Sequence, residues 1–313
     1  MIKKPKFWDN DNFNFLSVLL FPFTIPIRIN NLLINFASKS KKKKIFSICV
    51  GNIYIGGTGK TPSTIKLFEI LKKINPSTVT AKKFYRSHND EEKLLKQKTN
   101  FLSGMNRLEI INKAIKKKLQ IIIFDDGLQD KKIDYNLKFV CFDSKNWIGN
   151  GHLIPSGPLR ENLNSLKKFD AVLLKYIKNP NNKILSTIKK VNPKIKIFKI
   201  RYKINNLKSF NLSKKYIIFS GIGDPESFKT LLKINKFNII KHLDFPDHYE
   251  YDKYEIKKII DDAKKLNAQI LTTEKDFIKL PKTYQKKIKF LDINLIIENK
   301  NNLVKFLKLK INE

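Results

Sequence analysis

Cysteine, histidine and acidic residues are all scarce in this 313-residue chain, and each shortage removes a class of answer. Two cysteines, Cys49 and Cys141, cannot build a disulfide framework. Both lie in apolar runs that read as buried strands, which suits a reducing compartment and a role as small core hydrophobes. Four histidines and no C-x-x-C argue against a structural zinc site. Acids number 28 against 63 Lys+Arg, a formal net charge of +35. That excess fits nucleic acid, an anionic membrane surface or phosphorylated substrates as partners. It also fits compositional drift, because the excess is nearly all lysine, is spread along the chain, and accompanies abundant Asn and Ile. Drift accounts for most of it, so the charge serves only as support. No internal repeat and no disordered low-complexity segment stands out. The length allows one large or two medium domains, each able to bury a core.

A long uncharged apolar run is also missing. Residues 13 to 37 are rich in Phe, Leu, Ile and Val, but Pro22 and Pro26 break the run and Arg28 closes it. It falls short of the roughly 20 residues that a membrane span needs. A signal peptide fits poorly, since Asp9 and Asp11 precede the run and no small-residue cleavage site follows. A basic cluster, Lys39 and Lys41 to Lys44, comes next. Apolar surface beside lysines can lie in a membrane interface. A pair of helices packed on the domain explains the same pattern equally well.

What the chain does have is Gly56-Gly57-Thr58-Gly59-Lys60-Thr61. An apolar run, Ile45 to Val50, precedes it, and an amphipathic stretch, Thr64 to Lys73, follows. The order reads strand, glycine-rich turn, helix. Such a turn aims backbone N–H groups and a helix N-terminus at one spot, which suits phosphate. Lys60 would add a cation for the outer phosphates, and the Thr61 hydroxyl could ligate Mg²⁺. The general pattern G-x-x-x-x-G-K-[ST] wants its first glycine where Tyr54 stands, and Gly51 comes three positions too early. A surface turn that happens to carry a lysine is the bland alternative. The flanking strand and helix favour a nucleoside triphosphate site.

Further strands are expected at 79–81, 120–124, 138–142 and 171–174, with helical spacing over 107–118. Alternating strands and helices imply a mostly parallel sheet whose ligands bind at the strands' carboxyl ends. Gly51, Asp125 and Asp143 would sit at that edge. Residues 195 to 214 alternate and are lysine-rich, with Asn205-Asn206 as a turn, which reads as a β-ribbon linker. A second α/β unit then starts at Lys215, with strands at 216–219, 237–240 and 268–271.

Asp125-Asp126 after an apolar strand is the expected Mg²⁺-holding partner of a phosphate loop. Gly149 to Glu161 carries so much Gly and Pro that it reads as a shaped binding loop. There Arg160 could meet a phosphate and Glu161 a metal or sugar hydroxyl, or the two could simply pair. Asp247-His248 sets an acid beside an imidazole, which serves catalysis or structure. Thr273 could cap a helix through Asp276, or its segment could line a cleft.

Together these segments resemble the tetraacyldisaccharide 4′-kinase family of lipid A synthesis. The resemblance rests on Gly51-Asn52-Ile53 through Pro62, Asp125-Asp126-Gly127-Leu128-Gln129, Gly149 to Glu161, Gly221 to Glu226, Phe245-Pro246-Asp247-His248 and Thr273-Glu274-Lys275-Asp276. These occur in the family's order over most of residues 45 to 280, and the family also lacks the first P-loop glycine. The resemblance implies transfer of the ATP γ-phosphoryl group to the 4′-hydroxyl of a tetraacylated glucosamine disaccharide 1-phosphate, forming lipid IVA. It implies a P-loop NTPase-like, mostly parallel α/β lobe and a smaller α/β lobe joined by a β-ribbon, with the site in the cleft. It shifts residues 13 to 37 toward a membrane role at the cytoplasmic face of the inner membrane. The expected division is an apolar membrane-interface segment 1–38, a kinase lobe 39–200, a linker 201–214 and a C-terminal lobe 215–313.

The family's catalytic acid lies in a Gly-Asp-Glu motif followed by leucines, and Asn89-Asp90-Glu91 with Leu94-Leu95 is its counterpart here. Asp90 would be the base, oriented by His248 from the other lobe and reached on lobe closure. The backbone of Gly56, Gly57, Thr58, Gly59, Lys60 and Thr61 would cradle ATP. Mg²⁺ would be held by Thr61 and Asp126, with Asp125 or Glu161 nearby. Two departures stand out: Lys83-Phe84-Tyr85-Arg86 replaces Arg-Gly-Tyr-Gly, and Asp130 replaces the histidine after Gln129. No nucleic acid and no obligate protein partner is expected. Two other readings remain open: a P-loop kinase of a soluble small molecule, and a basic, nucleotide-gated nucleic-acid-binding protein.

Overall fold

The strand that leads into the glycine-rich loop, β1 (Phe46–Gly51), is apolar without alternation, and five of its six residues are fully buried. A strand covered on both faces belongs at the centre of a parallel sheet. The computed structural model, which describes residues 5–9, 14–27, 29, 31, 45–85, 89–130, 132–177 and 181–313, places it there. β1 lies between β4 (Ile121–Asp125) and β5 (Leu137–Asp143). Beyond β4 come β2 (Thr78–Lys83) and β3 (Phe101–Gly104). Beyond β5 come β6 (Ala171–Lys175), β7 (Lys196–Ile204) and β12 (Ile293–Ile297). From β3 to β7 the neighbours all run parallel. The chain therefore belongs to the α/β class expected of it, with a second parallel sheet described below.

One face of this sheet packs Cys49, Ile122, Phe124, Val140, Phe142 and Val172 against Ile110 and Ile188 from the covering helices. Both cysteines are free and buried, as the apolar runs around them suggest. Burial pushes the Cys141 thiol up to about 12, so it behaves as a core hydrophobe.

The second sheet has the order β11-β10-β8-β9 and is parallel throughout. It consists of β8 (Lys215–Ser220), β9 (Asn238–Asp244), β10 (Ala268–Thr273) and β11 (Lys289–Leu291). Its core gathers Tyr216, Ile218, Phe228, Leu232 and Phe237 on one face and Phe219, Ile256, Ile260 and Ile270 on the other.

In chain order the helices are α1 (Phe15–Leu20), α2 (Lys60–Ile74), α3 (Asn89–Lys98), α4 (Arg107–Lys116), α5 (Asn182–Val191) and α6 (Pro225–Ile234). They continue with α7 (Lys253–Lys265), α8 (Glu274–Phe277), α9 (Lys282–Gln285) and α10 (Lys300–Asn312). Helix α2 starts at Lys60, earlier than its amphipathic pattern suggests. The cause is Gly59, whose φ of 85° lets the chain turn straight from the loop into the helix.

The contacts divide the chain into two compact units that are not contiguous stretches. Of the described residues, the larger contains those between 5 and 84, 98–201 and 297–313, and the smaller those between 85 and 97 and 202–296. This differs from a simple split at 200/215 in two places. Residues 85–97, including Asp90, belong to the smaller unit. Helix α10 returns to the larger unit, where the Phe306 ring meets Phe139 and Phe198. The ribbon also differs from a local hairpin at Asn205-Asn206, because the sheet neighbour of β7 is β12, from the far end of the chain.

Candidate active site

The glycine-rich loop 56–61 leaves the carboxyl end of β1 and is tied on both sides. Asn52 Nδ2 donates to Thr58 Oγ1 at 3.0 Å and reaches the Gly56 carbonyl at 3.4 Å. Gln129 Nε2 in turn donates to the Asn52 carbonyl at 2.9 Å. No side chain caps α2 at Gly59. Its first N–H groups therefore remain suited to an anion. Tyr54, standing where the general pattern wants glycine, is buried among Leu153 and Leu159, and its hydroxyl donates to Asp9 at 2.6 Å. Backbone bonds Ile55 N to Pro158 O and Arg160 N to Ile53 O lace the 149–161 loop to the same segment. A bulky residue is therefore used here as an anchor for two other parts of the chain.

Lys60, Thr61, Asp125 and Asp126 meet. Lys60 Nζ lies 2.9 Å from Asp126 Oδ2. The Thr61 hydroxyl donates to Asp125 Oδ2 at 2.9 Å. Arg160 turns to Asp126 at 3.4 Å, and Glu161 accepts from Gln129 at 3.1 Å. Asp126 is in the left-handed region with φ of 64°, a strained conformation of the kind that collects at functional sites. Burial alone would raise its pKa, but Lys60, Arg160 and Lys82 together hold it well below the usual carboxylate range. Its Oδ1 is buried and has no hydrogen-bond partner.

Three contributors went unread in the sequence. Lys82 Nζ, buried at the tip of β2, lies 3.0 Å from the fully buried Asp125. Lys175, at the tip of β6, lies 2.6 Å from Asp143. Arg107 bonds the Asp126 carbonyl and Asp130, both at 2.8 Å. A charged residue closing an apolar strand is the available signal. It is drowned in a chain with 63 basic residues.

The smaller unit holds a second cluster. Asp90 lies in the first turn of α3 and is nearly inaccessible. Its Oδ1 accepts from His248 Nδ1 and from the Glu91 amide, each at 2.8 Å. Lys275 and Lys279 approach Oδ2 at 3.4 and 3.6 Å, and among the described residues that oxygen makes no hydrogen bond. Asp247 and His248 are neighbours, and Lys275 bonds Asp247 at 3.0 Å. His248, like Asp126, has a left-handed φ, 61°. Burial works to raise the Asp90 pKa, yet the His248 hydrogen bond and the two lysines bring it down to about 2. Asp90 and His248 thus meet inside one unit and need no lobe closure to do so, in contrast to the expectation of a partner from the other lobe.

The 273–276 segment behaves as a cap: Thr273 Oγ1 accepts from the Asp276 amide at 3.1 Å. It also positions the cluster, since Asp276 Oδ2 accepts the Gly221 amide at 3.0 Å and Oδ1 the Tyr251 hydroxyl at 3.0 Å. Gly221 sits in a tight place, where a Cβ would lie 3.0 Å from Tyr251 Oη and 3.1 Å from the Pro246 carbonyl, so a larger residue would have to push these groups by a few tenths of an ångström.

The N-terminal segment docks on the 149–161 loop by its polar groups. Trp8 Nε1 donates to the Pro155 carbonyl at 3.0 Å, and Ser17 Oγ to the Ser156 carbonyl at 2.8 Å. Ser17 and Thr24 are buried, while Phe15 is 71%, Phe23 64% and Leu19 56% exposed. This is the reverse of a water-facing helix. Among the described residues no helix is long and apolar enough to cross a membrane. Asp11, Phe13, Arg28, 32–44 and Arg86, to which the sequence expectations also refer, lie outside the described residues.

The model of the family described as "Tetraacyldisaccharide-1-P 4′-kinase" matches residues 14–312. A tetraacyldisaccharide 4′-kinase of Pelagibacter ubique is 45% identical, over 100% of this chain and 99% of its own length. One from Rickettsia canadensis is 33% identical, over 96% and 94% respectively. Among solved structures, LpxK from Aquifex aeolicus, crystallised in complex with ATP, superposes with a TM-score of 0.69. It is 23% identical and aligns with 95% of this chain and 99% of its own, a likeness that establishes the fold.

Proposed function

The chain belongs to the tetraacyldisaccharide-1-P 4′-kinase family, and from that premise we propose that it moves the γ-phosphoryl group of ATP to the 4′-hydroxyl of a tetraacylated glucosamine disaccharide 1-phosphate. One observation supports this reading most: among the described residues each cluster keeps one buried carboxylate oxygen, Asp126 Oδ1 and Asp90 Oδ2, that makes no hydrogen bond, the second facing two lysine ammoniums at 3.4 and 3.6 Å. Unsatisfied buried oxygens are costly, and they persist where a ligand completes them.

The donor side is the loop 56–61. Its backbone N–H groups and the α2 N-terminus take the phosphates, and Lys60 offsets charge on the group in flight. The residues nearby fit Mg²⁺: Thr61, Asp125, Asp126 and Glu161 offer only oxygen, the donor type that this ion prefers, and Asp126 Oδ1 is in need of a partner. Asp126 and Thr61 would hold the ion, with Asp125 and Glu161 in support. Bound there, it would supply charge neutralisation at the β- and γ-phosphates.

On the acceptor side, the 4′-oxygen forms a bond to the γ-phosphorus as the bond to the bridging oxygen breaks and ADP departs. The hydroxyl proton passes to Asp90. A carboxylate with a pKa near 2 is a weak base. It suffices because the phosphoryl transition state is loose and the hydroxyl becomes acidic late. His248 and the two lysines keep Asp90 ionised and fixed, so that its open oxygen faces one direction.

The apolar outer face of residues 15–25 supports docking on a membrane surface, where a tetraacylated substrate would reside. A helix that buries Ser17 and exposes Phe15 and Leu19 makes sense when its outer neighbour is lipid. The cytoplasmic face of the inner membrane is the corresponding site, since ATP is there. The deciding experiment is transfer of radiolabelled phosphate from ATP to the disaccharide acceptor in detergent micelles. No 4′-phosphorylated product from folded protein overturns the proposal.

A further inference from the structure

We propose that Lys175, pinned by Asp143, is a positioning residue of the glycine-rich loop 56–61, holding the Gly57 carbonyl so that the loop keeps one shape for nucleotide phosphates. The inference rests on the reading of residues 56–61 as an ATP site.

The sheet itself builds the pair. β5 and β6 are parallel, and Asp143 and Lys175 are direct register partners at their last positions. Paired positions share a face of the sheet. The two side chains therefore meet at 2.6 Å, with only 4% of Lys175 and 3% of Asp143 exposed. Asp143 is also fixed from its other oxygen, which accepts from the Lys145 amide at 2.9 Å. Desolvating such a pair costs about as much as its attraction returns, so stability alone explains it poorly.

The lysine has a second contact that stability does not require. Its Nζ lies 3.4 Å from the carbonyl oxygen of Gly57, in the middle of the loop. A loop with glycine at 56, 57 and 59 has few side chains to hold its own shape. Asn52 ties it at Thr58 and Gly56, and Lys175 ties it at Gly57. In a planar trans peptide the C=O and the next N–H point opposite ways. Anchoring the Gly57 carbonyl thus sets the direction of the Thr58 N–H, which donates to the Gly56 carbonyl at 2.9 Å, so what Lys175 holds is the tight turn of the loop and not this N–H itself.

The test uses the full chain with a fluorescent ATP analogue and steady-state kinetics. Lys175→Met should raise the Kd of the analogue and the KM for ATP about tenfold, the size expected for a charged hydrogen bond. The KM for the lipid acceptor and kcat should stay within about threefold. Because Lys175→Met leaves Asp143 buried and unpaired, the neutral pair Lys175→Met/Asp143→Asn keeps the test valid if the single variant does not fold. A pair that merely holds the fold together would move the melting temperature and leave the ATP KM unchanged; that result in a folded variant overturns the inference. If the wild-type protein itself fails to bind the analogue, the ATP reading of the loop fails instead, and the two failures are distinguishable.

Discussion

The acidic clusters of the two units are built from the same parts and found by different routes. In the larger unit Asp125 and Asp126 meet Lys60, Lys82 and Arg160; in the smaller, Asp90 meets His248, Lys275 and Lys279. Each has one buried carboxylate oxygen without a hydrogen bond and one residue, Asp126 or His248, in left-handed backbone. The first grows from a contiguous motif and the tips of adjacent strands. The second joins residues 158 positions apart. The difference teaches that a helix N-terminus beside a glycine turn is a local invention, whereas a buried carboxylate held by an imidazole and two lysines needs a surrounding that only distant segments supply.

The largest expected effects separate the clusters. Lys60→Ala should remove both analogue binding and turnover. Asp90→Asn should cut turnover by at least about 10²-fold, within the range for lost general-base catalysis, and leave analogue binding intact. Turnover near the wild-type level in folded Asp90→Asn would remove that residue as the base. Loss of analogue binding there would end the contrast between a donor cluster and an acceptor cluster.

His248→Gln should lower kcat less, by about tenfold or more, because Asp90 keeps its lysines but loses the hydrogen bond that orients it. An unchanged kcat with a changed melting temperature would make His248 structural only.

Next in size is the membrane face. Phe15→Ser/Leu19→Ser/Phe23→Ser removes three exposed apolar side chains, each worth about 1.5–3 kcal/mol when buried in lipid. Partition onto anionic vesicles should fall at least about 100-fold, as read by vesicle co-sedimentation. Turnover of acceptor in detergent should change little. Equal partition by the variant would end the membrane reading of this segment.

The smallest effect concerns acid stability. The folded-state pKa of Asp90 is lowered from 3.8 to about 2. Its contribution is therefore complete above about pH 4 and is lost as pH falls toward 2. Asp90→Asn should accordingly flatten the fall of the melting temperature between pH 4 and pH 2, measured by calorimetry. An unchanged slope would show that the lysines and His248 do not stabilise the ionised form.

Much of this was legible in the sequence because it is local. The run Ile48-Cys49-Val50 has to be covered on both faces, the glycines require an unusual backbone, and the apolar strands ending in Asp125 and Asp143 point to one sheet edge. The Thr273–Asp276 cap was likewise readable from spacing alone. Lys82 and Lys175 were not, since nothing in a lysine's neighbours tells a solvated face from a buried ion pair when basic residues are everywhere.

The chain's order of residues thus determined the fold class and a glycine-rich turn between strand and helix, since periodicity and glycine placement act over a few residues. Tertiary structure alone decided that Asp90 joins His248 in the smaller unit, that β12 supplies the neighbour of β7, and that residues 15–25 turn their apolar side outward. Each of these depends on which distant surfaces exclude water from one another, and that is a property of the packed molecule.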